Sequence, residues 1–91
     1  MLAQQTGAAC SLLAGSLRQL EGEIKEKERR IQTLNARLEK LQSQPDPDPD
    51  RIEEIKADIQ DLETQLEADR PMLRAFQEEY RSLCGPMPIL N

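Results

Sequence analysis

Residues 31–62 read IQTLNARLEKLQSQPDPDPDRIEEIKADIQDL, and the reading of this stretch decides the fold. Before the proline–aspartate run, Ile31, Leu34, Leu38 and Leu41 recur at alternating spacings of three and four residues. After it, Ile52, Ile55, Ile59 and Leu62 do the same. That spacing is the seam of a coiled-coil helix. Between the two segments Pro45, Pro47 and Pro49 alternate with Asp46, Asp48 and Asp50. Prolines at this density remove backbone donors and push the residues before them into extended conformations, so the helix must break. Two helices joined by so short a connection fold back on each other. Leu41 then faces Ile52, Leu38 faces Ile55, Leu34 faces Ile59 and Ile31 faces Leu62.

Outward from the tip the repeat keeps its phase in both directions. Lys27, Ile24, Leu20, Leu17, Leu13 and Cys10 continue the first seam, and Leu66, Asp69, Leu73, Phe76, Tyr80 and Leu83 continue the second. Every layer of one meets a layer of the other. The expected fold is all-α: an antiparallel coiled-coil helical hairpin with a helix over 9–43, a Pro/Asp-rich loop over 44–49 and a helix over 50–84. Residues 1–8 lack periodicity and read as a flexible N-terminal segment. Gly85 and Pro86 supply a stop, leaving 85–91 as an apolar C-terminal tail. Asp48 can cap the second helix with Pro49 at its first position, or Asp50 can cap it with Glu53 three residues on. Gly22 and Pro71 fall at the same height on the two helices, which predicts a shared bend near residues 69–71 and a tip half more regular than the base.

A chain of 91 residues with this pattern is one domain at most, and each seam residue of a two-helix hairpin is covered on one side only. A second copy or another protein on the open side, giving a larger helical bundle, is the expected completion. One Phe, one Tyr and no Trp or His deprive the chain of aromatic bulk, of the commonest general base and of the commonest metal ligand, so no enzymatic activity and no cofactor are expected. The formal net charge of -5 is unevenly divided. Residues 1–44 carry seven basic and five acidic side chains, and residues 45–91 five basic and twelve acidic. A weakly basic helix beside an acidic one agrees with the fold-back. The absence of a basic patch or stacking aromatics speaks against direct nucleic-acid binding. No segment reaches the length of a membrane span or the pattern of a signal peptide, and a cytoplasmic location, or carriage within a larger assembly, is the simplest expectation.

Few residues carry chemistry. Asp46, Asp48 and Asp50 begin like a calcium loop, but Arg51 and Ala57 stand where the loop needs Gly and a bidentate acid. Lys27 and Asp69 are the charged residues of the seam; such residues set register and partner number. Lys27 is expected to reach Asp69 or Glu63. On the edges of the seam, Arg37 is expected near Asp58 and Glu21 near Arg70, with an unfavourable Glu28–Glu63 approach. Cys10 and Cys84 lie one level apart at the base. Without histidine they lack the ligands for zinc, and they are read first as reduced core residues, with a disulfide as the alternative in an oxidising compartment.

The base also gathers more apolar residues than a hairpin can cover. Leu12, Leu13, Met72, Phe76, Tyr80, Leu83, Met87, Ile89 and Leu90 are the candidate partner-binding residues, Leu12 and Met72 pointing away from the seam. The expected function is therefore protein association as a structural or assembly subunit, by self-association or with another protein. The alternative is a small acidic regulator or inhibitor that blocks another protein.

Overall fold

The computed structural model describes the backbone of residues 2–86 and the side chains of residues 7–86. Two helices, α1 (Leu2–Gln42) and α2 (Pro49–Cys84), pack side by side as a hairpin 68 × 21 × 15 Å in extent. The all-α hairpin expected from the heptads is the observed architecture. Cross-helix contacts between Cys10 and Cys84, Lys27 and Asp69, and Glu28 and Arg70 run in opposite senses along the two helices, so the pairing is antiparallel.

The tip is built as its sequence dictates. At the end of α1 the backbone N–H and the hydroxyl of Ser43 both donate to the Glu39 carbonyl, at 3.1 and 2.8 Å. Asp48 is extended and accepts the Asp50 N–H at 3.0 Å, with Pro49 opening α2. Of the two caps weighed above, the Asp48–Pro49 arrangement is therefore the one used. At the far end Gly85 takes a positive φ of 85°, donates its N–H to the Arg81 carbonyl and ends the helix.

The helix ends differ from those expected. The helix begins at Leu2, so residues 2–8 belong to α1 and not to a flexible segment. Once a helix is nucleated, each added residue forms a bond for one residue fixed, and Ala3, Ala8 and Ala9 favour its propagation. The boundaries at the tip shift by about one residue, with α1 ending at Gln42 and α2 starting at Pro49. At Pro71, beside which the sequence places a bend, α2 continues as one helix. Pro71 is on the exposed outer face, where the carbonyl that loses its donor can turn to water.

Burial follows the seam. Leu17, Leu20 and Ile24 of α1 and Ile55, Ile59, Leu62 and Leu66 of α2 are buried, with Leu17 fully enclosed. Leu20, Ile24 and Leu66 form a cluster against which Ile31, Leu73 and Phe76 pack. Close packing in α1 thus persists to the level of Gly22 and Pro71 and beyond it, where the sequence suggested weakening. Leu34, Leu38, Leu41 and Ile52 near the tip are only half-buried. A pair of helices covers each seam residue from one direction, and the side chains nearest the open end lose even that neighbour on one side.

Candidate protein-interaction surface at the base

The two cysteines organise the base. Cys10 and Cys84 are joined in a disulfide with their Cα atoms 5.8 Å apart, so the reading of both as reduced core thiols is corrected. The separation lies within the range a disulfide requires, and it is shorter than the usual distance between packed helix axes. Cys84 must therefore turn inward toward Cys10. The preceding residue sits about 100° away around the helix. Leu83, expected on the seam, is accordingly turned out and 57% exposed. Ala14, which the heptad places beside the seam, is buried instead. It lines a shallow cleft with Cys10, Ser11, Arg18 and Tyr80.

The seam leaves two flanks, and they differ. One is marked by an open cleft lined by Glu28, Ile31, Gln32, Glu63, Leu66, Glu67 and Arg70. Here Arg70 donates to the Glu28 carboxylate at 3.1 Å. Glu21, expected to pair with Arg70, pairs along its own helix with Lys25 at 3.2 Å. Arg70 thus pairs with one of the two acidic residues, Glu28 and Glu63, whose approach was expected to be unfavourable. Seven-residue steps carry this flank toward the base through Arg18, Arg74 and Arg81. It is charged throughout.

The opposite flank is marked by a cleft lined by Glu26, Arg29, Arg30, Thr33, Leu34, Arg37 and Asp58. Arg37 and Asp58 share this cleft, as expected, without closing to an ion pair. Seven-residue steps from Thr33 lead through Glu26 and Gln19 to Leu12, and from Asp58 through Gln65 to Met72. Leu12 is 75% exposed and Met72 47%. With the outward-turned Leu83 they are the exposed large apolar side chains among the described residues. By the same steps Ala9, Ser16 and Ala75 share this flank, as does Glu79, seven residues on from Met72. Of the remaining candidates, Leu13, Phe76 and Tyr80 are half-buried. Met87, Ile89 and Leu90 lie outside the described residues.

Between base and tip, Lys27 donates to Asp69 at 2.5 Å, the side chains retaining 23% and 17% of their exposure. Of the two partners considered for Lys27, Asp69 is the one it finds. A partly buried pair of this kind fixes register more than it adds stability. Lys27→Ala, which strands the carboxylate, is expected to destabilise by about 1–3 kcal/mol. Converting the pair to Met and Leu is expected to be neutral or stabilising while permitting other registers. Urea unfolding together with cross-linking between α1 and α2 measures both; a double variant that unfolds earlier than Lys27→Ala contradicts the assignment.

Among the described residues no group of three or more His, Cys, Asp or Glu is arranged to hold a metal ion. No described helix is long and apolar enough to cross a membrane. Among the described residues no buried side-chain nitrogen or oxygen lacks a hydrogen-bond partner. Comparisons with protein-family models, with curated proteins and with solved structures find no match to this chain.

Proposed function

We propose that this chain is a non-enzymatic association module, a structural or assembly subunit that binds protein through the apolar flank at its base. The observation that carries the reading is the exposure of Leu12, Met72 and Leu83 at the base, with Leu12 and Met72 on one flank by their heptad positions, while Arg18, Arg74 and Arg81 stand on the other. Scattered exposed apolar residues are ordinary on a protein surface; a contiguous group on one side marks an interaction site. The disulfide favours residence where thiols are oxidised over the cytoplasm. It also holds Leu83 outward and so presents part of the surface.

The acidic-regulator alternative places binding elsewhere, on the exposed carboxylates of the tip and of α2. One comparison separates the two. Cross-linking in the native cell, followed by mass spectrometry, is expected to recover a protein partner in fixed ratio with the natural chain and to lose it with Leu12→Glu/Met72→Glu. Full recovery by that variant, with loss on neutralising Asp46, Asp48 and Asp50, overturns the reading in favour of the regulator.

A further inference from the structure

We propose that the occupant of the apolar flank is a second copy of this chain, laid face to face with both tips at the same end to form a four-helix bundle. The proposal rests on the association reading above and names its partner.

The charges on the tip half of the same flank select the arrangement. Arg30, Arg37 and Lys40 form an exposed row on α1, and Glu54, Asp58 and Asp61 form an exposed row on α2 at the same height. Among the described residues none of the six is in an ion pair, whereas Glu26 within the same face is held by Arg29 at 3.2 Å. Two identical flanks can meet about a twofold axis in two ways. With the axis along the hairpin, tips together, α1 of each copy lies over α2 of the other. Each basic row then covers an acidic row, twice over, and the apolar base of one copy meets the apolar base of its partner. With the axis across the hairpin, tips apart, α1 lies over α1 with tip on base, so each charged row is laid on the partner's apolar base and meets no complementary row. Complementary charge orients association and like charge in contact opposes it. Only the first arrangement satisfies both halves of the flank.

The face is large enough for a stable dimer. It runs along a hairpin 68 Å long and is two helices wide, more than the about 800 Å² per partner of a standard interface requires. Burying it also covers the open side of the half-buried seam residues Leu34 and Phe76. Glu23 borders the apolar group on its tip side, and Glu79 lies within it, between Met72 and Leu83 on α2.

Sedimentation equilibrium of the disulfide-intact chain tests the proposal. A dimer at micromolar concentration is expected. Leu12→Glu/Met72→Glu, altering two exposed side chains, is expected to weaken it about 100-fold with helicity retained, about tenfold for each anchor. Arg37→Asp and Asp58→Arg should each weaken the dimer about threefold at low salt, and their combination should restore it. Nitroxide labels on Ser43→Cys, attached with the native disulfide intact, should lie within about 30 Å of each other, on the scale of two packed helix pairs. A natural chain that stays monomeric overturns the second-copy proposal and leaves the association reading to its own cross-linking test. A dimer indifferent to Leu12→Glu/Met72→Glu overturns the choice of face. Label separations approaching the 68 Å hairpin length overturn the orientation.

Discussion

Opening the Cys10–Cys84 disulfide is expected to lower the unfolding free energy by about 4 kcal/mol. The bond joins residues 74 apart in sequence, so it closes almost the whole chain into one loop. Without it, the unfolded chain regains the freedom of both ends while the folded hairpin keeps its seam, and the equilibrium shifts through the unfolded state. The effect should appear equally with Cys10→Ser, Cys84→Ser or the double change, since each breaks the same closure. The double change is the cleanest, because it leaves no thiol to pair between chains. Urea unfolding monitored by helicity at one fixed protein concentration makes the measurement, as association also contributes to apparent stability. A midpoint unmoved by the double change would mean that the base is held by its packing alone. Hydrogen exchange should show the loss at every amide that exchanges through global unfolding, because the closure acts on the unfolded state.

Leu66→Ala is expected to cost about 3–5 kcal/mol, the range for truncating a buried leucine where the surroundings cannot close in. Leu66 is 2% exposed and packs with Leu20 and Ile24 at the middle of the hairpin. Two helices already in contact have no third element to collapse into the vacancy. Water can then enter beside Lys27 and Asp69. Leu12→Ala provides the control. At 75% exposure it loses little packing within the hairpin, and a change within about 0.5 kcal/mol is expected in the monomer. If the two changes destabilise alike, Leu12 is buried in the species measured.

Much of the architecture was legible before any coordinates. The heptads on either side of Pro45–Asp50 specify two helices, and a short stiff connection leaves them no neighbour but each other. Asp48 and Pro49 carry the chemistry of a helix start, and Gly85 that of a helix stop, so the ends could be read to within a residue or two. The seam pattern likewise singled out Lys27 and Asp69, because a charge in a hydrophobic register is visible in one dimension. The start of α1 was misread for the opposite reason. Residues 2–8 lack a periodic signal, and a helix that is already nucleated does not need one to continue.

What composition and spacing could not decide depends on distances across the pair. Whether Cys10 and Cys84 bond is a question of separation and rotation at the base, and the answer there sets two other side chains: Leu83 turns out and Ala14 is covered. Pairing of Arg70 with Glu28 instead of Glu21 is settled by reach around the edge of the seam, since several arginine rotamers fit one heptad position. The difference between the flanks also belongs to the folded hairpin, because Leu12 and Met72 are far apart in sequence and share a surface only once the helices run antiparallel. Local spacing determines which helices form and which stripe each must bury; only the packed pair determines which remaining side chains share a surface, because that depends on rotation about two axes at once.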